Sequence, residues 1–63
     1  MDIDELLADL AHVRRGYVNA AMGYRQKGFA REAAVLETAV RRLDEAVRRQ
    51  LPAWPAGADR AAR

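Results

Sequence analysis

The sequence predicts an all-α protein: an antiparallel two-helix hairpin of coiled-coil type, completed by oligomerisation or by a partner. Two runs of apolar residues recur in alternating steps of three and four, which is the spacing of a coiled-coil seam. Only a few residues around Lys27 and Gly28 separate the runs, and so short a connection makes the helices antiparallel neighbours. The chain has 63 residues and no cysteine, so association is the expected source of further stability.

The first helix is expected over about residues 3–26. Asp2, with Glu5 three residues later, is typical of a capping box that precedes an apolar-periodic run. Acidic residues at this end also suit the positive end of the helix dipole. The apolar residues that follow at seam spacing are Ile3, Leu6, Leu10, Val13, Tyr17, Ala20 and Tyr24.

A turn is expected at about residues 27–29, and a second helix over about residues 30–51. Gly28 suits the left-handed residue that commonly follows a helix, and Pro52 stops the second helix because proline lacks an amide hydrogen. Residues 1–52 therefore form the predicted hairpin, and residues 53–63 form a tail with prolines and a tryptophan. The predicted hairpin seam consists of Leu6, Leu10, Val13, Tyr17 and Tyr24 on the first helix and Phe29, Leu36, Val40, Leu43 and Val47 on the second.

A second apolar stripe lies beside this seam on each helix. Successive residues of a helix are rotated by about 100°, and this rotation places the stripe residues of the first helix within a narrow arc of its surface, with Arg14 beside them. Such a stripe either widens the core-facing side of a helix or docks another chain. We favour docking, because no third helix is present to cover it. The predicted partner-binding residues are Leu7, Ala11, Val18, Met22, Val35 and Ala39.

Trp54 has two open interpretations. It packs as a cap on the open end of the hairpin near Leu6 and Leu51, or it is an exposed anchor for a partner, since tryptophan is favoured at interface hot spots. We include Trp54 among the predicted partner-binding residues.

Three arginine pairs raise the question of nucleic-acid binding. The net charge is only +2, and Glu37, Asp44 and Glu45 each precede an arginine by four residues, the favourable orientation for a helical ion pair. A salt-bridged, solvated face therefore explains the arginines better than phosphate contacts do, and nucleic acid is not an expected partner.

Catalytic, metal and cofactor sites are not expected. The chain has no serine or cysteine, one threonine and one histidine, so no nucleophile–base set is visible, and no phosphate-binding glycine loop occurs. We therefore predict no enzyme activity, no cofactor, no metal and no small-molecule ligand. The acidic start MDIDELLADL does not resemble a signal peptide, and no apolar run is long enough to enter a membrane, so a cytoplasmic protein is expected.

The stretch AAVLETAVRRLDEAV resembles a known family. Small helical-hairpin co-chaperones of the type III secretion needle subunit have a first helix, a short glycine-containing turn and a second helix with a Leu-Glu-x-Ala-aliphatic stretch, here residues 36–40. The resemblance covers the second helix and the general plan. It implies a cytoplasmic protein that binds a tetratricopeptide-like chaperone and keeps the needle subunit monomeric. It implies no catalytic residue.

These observations predict a non-catalytic protein-interaction module. The leading hypothesis is a small adaptor or co-chaperone that binds a larger helical partner, and the resemblance extends this hypothesis to needle-subunit chaperoning. The alternative is a homodimeric four-helix-bundle regulator, with or without RNA binding through its arginine pairs. The plan and length are similar to those of the homodimeric bundle that binds paired RNA loops in plasmid copy-number control, a likeness of architecture alone.

Overall fold

The computed structural model describes residues 2–55, which form two α-helices packed side by side. Helix α1 spans Ile3–Gln26 and helix α2 spans Ala30–Arg48. Arg14 contacts Asp44, and Arg25, further along α1, contacts Glu37, which comes earlier in α2. The helices are therefore antiparallel, and the predicted all-α hairpin is confirmed.

The start of α1 is capped by Asp2, the predicted N-cap residue, but its hydrogen-bond partner is Asp4 and not Glu5, the residue that a capping box would use. Asp2 has an extended backbone, and its Oδ1 accepts a hydrogen bond from the amide of Asp4 at 3.0 Å. Asp4 and Glu5 lie in the first turn, where negative charge is favoured by the helix dipole. These interactions satisfy amide groups that have no partner within the helix.

The connection between the helices is a Schellman turn. Gly28 has a φ of 86°, which confirms the predicted left-handed residue. The amide of Phe29 donates to the Tyr24 carbonyl at 2.8 Å, and the amide of Gly28 donates to the Arg25 carbonyl at 3.1 Å. The rings of Tyr24 and Phe29 meet edge to face at 6.2 Å, which supplies the apolar contact that accompanies such a turn.

Helix α2 ends at Arg48, short of the predicted end near Leu51. The chain continues as turns, in which the amide of Leu51 donates to the Val47 carbonyl at 2.8 Å and the amide of Trp54 donates to the Leu51 carbonyl at 3.0 Å. Pro52 has no amide hydrogen, so the helix cannot continue through it. These turns carry Trp54 back toward α1. The rest of the predicted tail, residues 56–63, lies outside the described residues.

Small residues form most of the buried apolar core. Within residues 2–55 the buried hydrophobic side chains are Ala11, Ala21, Ala33 and Trp54. Leu7, Leu10, Leu43 and Val47 are partly buried and pack around the cluster that Ala11 forms with Trp54. This cluster lies toward the open end of the hairpin, where the turns after α2 cover both helices.

The predicted seam is wrong for most of α1. Leu6, Val13, Tyr17 and Tyr24 are exposed, and only Leu10 of the predicted α1 set packs against the core cluster. The face that meets α2 instead contains Leu7, Ala11, Arg14, Val18 and Ala21.

The predicted seam agrees better with the structure on α2 than on α1. Leu36, Val40, Leu43 and Val47 are half-buried, whereas Phe29 is exposed beside Tyr24. The hairpin therefore combines the expected face of α2 with the other apolar face of α1.

Candidate functional site

The face of α1 that we predicted to bind a partner contacts α2 of the same chain. Ala11 is 1 % exposed, and Leu7 and Val18 are half-buried. Val18 and Ala21 line one small cavity together with Glu37 and Val40 of α2, which places both helices against it. Leu7, Ala11 and Val18 are therefore corrected to positions in the hairpin contact.

Small side chains explain this choice of face. The distance between two packed helices depends on the side chains at their contact. Ala11 and Ala21 are both buried and let the helices come close enough for Arg14 to reach Asp44. A contact built on Tyr17 and Tyr24 would keep the helices further apart.

Asp44 is the centre of a polar network between the helices. Asp44 is buried, with 6 % of its surface exposed. Arg14 donates from Nε to Oδ1 at 2.8 Å and from Nη2 to Oδ2 at 3.1 Å, which makes a bidentate pair. The indole Nε1 of Trp54 donates to the same Oδ1 at 2.7 Å, and Nη2 of Arg48 lies 3.7 Å from Oδ2. One carboxylate thus ties together α1, α2 and the turn that follows α2.

The charged form of Asp44 is favoured by these contacts. The hydrogen bonds from Arg14 lower the pKa of the Asp44 carboxyl; burial acts in the opposite direction, and the indole of Trp54 lowers the pKa further. Within residues 2–55 no buried side-chain nitrogen or oxygen lacks a hydrogen-bond partner. The network is therefore complete, and its role is structural.

Trp54 is a cap on the hairpin. The residue is 4 % exposed and packs with Ala11, and its indole N–H is held by Asp44. The interpretation of Trp54 as an exposed partner anchor is therefore wrong for this structure. The capping interpretation holds, although the cap contacts the Ala11 side of α1 rather than Leu6, which remains exposed.

A second ion pair joins the helices near the turn. Nε of Arg25 donates to Oε2 of Glu37 at 2.7 Å, and Nη2 donates to Oε1. Hydrogen bonding to Arg25 lowers the pKa of Glu37, and the same contact raises the pKa of Arg25. Both side chains are exposed, so water and salt screen this pair more than the pair at Asp44.

The candidate site is the apolar stripe that the hairpin leaves uncovered on α1. We call it the α1 face. Its members occupy five of the seven seam positions of α1, at intervals of three, four and seven residues, and each is at least 40 % exposed. It is about a quarter turn around α1 from the face that meets α2, at about 100° per residue. The α1 face consists of Ile3, Leu6, Val13, Tyr17 and Tyr24.

The apolar surface continues from α1 onto α2. Phe29, which is half-exposed, touches Tyr24 of the α1 face. Leu36 and Leu43 follow Phe29 at intervals of seven residues, so the helical repeat places them along the same side of α2, where both are half-buried. A helix laid along the α1 face would therefore meet apolar side chains from both helices.

Other exposed apolar residues do not belong to this surface. Met22 and Val35, two of the predicted partner-binding residues, are exposed on other sides of α1 and α2. Ala39, half-buried, lines a shallow groove with Val35 on the outer side of α2, where Arg31 and Arg42 also lie. Their partner-binding role stays a prediction.

The arginines that suggested RNA binding are partly engaged within the hairpin. Arg14 and Arg48 converge on Asp44. Glu37 forms its hydrogen bonds with Arg25 across the helices rather than with Arg41 along α2. Arg14 and Arg48 are therefore drawn toward Asp44, and an RNA-binding role of the arginine pairs stays a prediction.

Between residues 2 and 55, no three or more His, Asp or Glu side chains converge into a group that could hold a metal ion. Within the same range, neither helix has an apolar stretch long enough to cross a membrane.

No protein-family model matches the chain, and comparison with curated proteins and with solved structures finds no match for it.

Sequence reasoning missed the network at Asp44. A signal for it was present: Arg14 interrupts one apolar stripe of α1, and Asp44 adjoins the apolar stripe of α2. Opposite charges on facing helices form bidentate pairs at an antiparallel contact. Matching Arg14 with Asp44, and then Arg25 with Glu37, identifies the buried face of α1 without any count of apolar residues.

Proposed function

We propose that this chain is a non-catalytic protein-interaction module that binds an α-helix of another chain on its α1 face. The observation that supports the proposal is the row of apolar seam positions Ile3, Leu6, Val13, Tyr17 and Tyr24, which the hairpin leaves exposed. A repeat of this spacing accepts the side chains of a facing helix as knobs in holes. Binding would remove large aliphatic and aromatic groups from water.

Such a module acts as a small adaptor or co-chaperone. The hairpin holds its own shape through the Asp44 network and presents one apolar face to a larger helical protein. Its cytoplasmic location is part of this proposal.

The resemblance to co-chaperones of the type III secretion needle subunit gives the proposal a more specific form, which stays a prediction. In this chain the residues of the resembling stretch have contacts within the hairpin. Glu37 pairs with Arg25, and Val40 lines a cavity between the helices. Hairpin packing alone therefore accounts for these two positions.

Site-specific photo-crosslinking tests the proposal and identifies the partner. Benzoylphenylalanine replaces Tyr17 on the α1 face in one variant and Val35 on the outer side of α2 in a matched control. Both positions are exposed, so neither replacement enters the hairpin contact. After illumination of cells that produce the chain, mass spectrometry identifies the crosslinked proteins.

The expected result is one dominant adduct from position 17 and none of comparable yield from position 35. The crosslinked segment of the partner should be helical. Equal, diffuse labelling at both positions, or no adduct at position 17, would contradict a binding role for the α1 face.

A further inference from the structure

We propose that the helix bound on the α1 face is α1 of a second copy of this chain, arranged antiparallel about a two-fold axis near position 15. This inference rests on the proposed function, since it names the occupant of the same surface. The resulting homodimer is a four-helix bundle in which the two copies of α1 meet along the α1 face. Because α2 packs about a quarter turn away from this face, the two-fold axis places both copies of α2 on the same side of the α1 pair.

The first support is the match between the two ends of the α1 face. In an antiparallel coiled coil, each layer of the contact contains an a position of one helix and a d position of the other. In α1 the a positions include Leu10, Tyr17 and Tyr24, and the d positions include Leu6, Val13 and Ala20. Every a position of one copy faces a d position of the other when the two residue numbers add up to 30. Leu6 then meets Tyr24 of the second copy, and Val13 meets Tyr17. Leu10 meets Ala20. Each layer combines a larger and a smaller side chain, as interdigitation requires.

The second support is charge complementarity. The first turns of α1 carry Asp2, Asp4, Glu5 and Asp9, whereas its last turn and C-cap carry Arg25 and Lys27. Antiparallel pairing places the acidic end of each copy beside the basic end of the other. A parallel pair would place like charges together at both ends, which is unfavourable. Since Arg25 already binds Glu37, Lys27 is the main cation of this contact.

The first test measures the mass of the purified chain by light scattering over a wide concentration range. The proposal predicts twice the chain mass of 7.0 kDa, with a concentration-dependent return to the monomer. Tyr17→Asp should raise the dissociation constant by at least about tenfold, because the two-fold axis introduces the charge twice. Val35→Asp, an equally polar change on the outer side of α2, should leave the constant unchanged. Circular dichroism confirms that both variants stay helical.

The second test determines the orientation and does not depend on a destabilising variant. Because the chain has no cysteine, single Ile3→Cys and Lys27→Cys chains can be mixed and oxidised. Antiparallel pairing brings position 3 of one copy beside position 27 of the other. The proposal predicts disulfide dimers that join the two different variants in preference to dimers of either variant with itself.

The outcomes separate this inference from the proposed function. Same-position disulfides at Ile3→Cys would overturn the antiparallel arrangement. A monomer at every concentration would overturn self-association, while a crosslink from position 17 to another helical protein would preserve the proposed function. A dimer disrupted by Val35→Asp and not by Tyr17→Asp would overturn both.

Discussion

At the scale of single residues, Asp44 determines how the parts of the chain meet. Its carboxylate accepts hydrogen bonds from Arg14 of α1 and from Trp54 of the turns after α2. A buried carboxylate is costly without partners and favourable only when its hydrogen bonds are complete. Because each of the three residues comes from a different part of the chain, the network selects one arrangement of these parts.

Replacing Asp44 with asparagine should destabilise the hairpin. Asp44→Asn keeps the shape of the side chain and one acceptor for the indole, but it removes the charge that pairs with Arg14. We expect a loss of about 1–3 kcal/mol in the free energy of unfolding. Urea titration followed by circular dichroism measures it. Glu45→Gln, a change at an exposed acidic neighbour, is the control and should have almost no effect.

The Asp44 network should also make stability depend on pH in acid. The pKa of Asp44 is lowered in the folded chain, so its contribution is fully present above the ordinary aspartate pKa. The contribution is lost as the pH falls through the lowered pKa, because the folded state must then bind a proton that it disfavours. The difference in unfolding free energy between the natural chain and Asp44→Asn should therefore shrink in acid. A constant difference across this range would contradict the ion pair.

The exposed pair near the turn should contribute less than the Asp44 network. Arg25 and Glu37 are accessible to water, so their attraction is screened. Surface pairs of this kind add to the alignment of the helices more than to their stability. The Arg14–Asp44 and Arg25–Glu37 pairs look alike in the sequence, but they differ in burial and therefore in their expected contribution to stability.

At the scale of elements, α1 carries two apolar stripes with different uses. The stripe that contacts α2 contains small residues and one arginine, whereas the α1 face contains larger side chains at seam spacing. Close packing of the hairpin requires the small residues. The larger side chains remain outside and are available to another helix.

Substitutions at two adjacent residues should distinguish the stripes. Leu7 packs against the core cluster, so Leu7→Asp buries a charge without a partner and should cost about 2 kcal/mol or more in unfolding free energy. Leu6 is exposed, so Leu6→Asp should leave the helicity of the dilute chain nearly unchanged while weakening association. Circular dichroism and light scattering measure the two effects. Loss of helicity in Leu6→Asp and not in Leu7→Asp would reverse the assignment of the stripes.

At the scale of the whole molecule, the chain buries little and exposes much. Within residues 2–55 the buried apolar residues are three alanines and Trp54, whereas each residue of the α1 face is at least 40 % exposed. Small domains are marginally stable because they bury a small share of their surface. Covering the α1 face would add the large apolar contacts that the isolated hairpin lacks.

Stability should therefore depend on the concentration of the chain. Association stabilises the folded state by mass action, so the melting temperature of the natural chain should rise with concentration. In Tyr17→Asp the melting temperature should be lower and nearly constant. Thermal melts at concentrations a hundredfold apart measure this. A natural chain that melts at one temperature throughout would show that the hairpin is stable without a second copy.

The sequence by itself determined the helices and the turn between them. Asp2, Gly28 and Pro52 act through local backbone chemistry, which neighbouring residues alone specify. The two stripes of α1 were also evident from the spacing of their residues. Only the tertiary structure decided which stripe the hairpin buries and where Trp54 lies. The choice of stripe and the position of Trp54 depend on how closely the two helices approach each other. They also depend on hydrogen bonds that Asp44 accepts from distant parts of the chain. The periodicity of apolar residues along one helix does not contain this information.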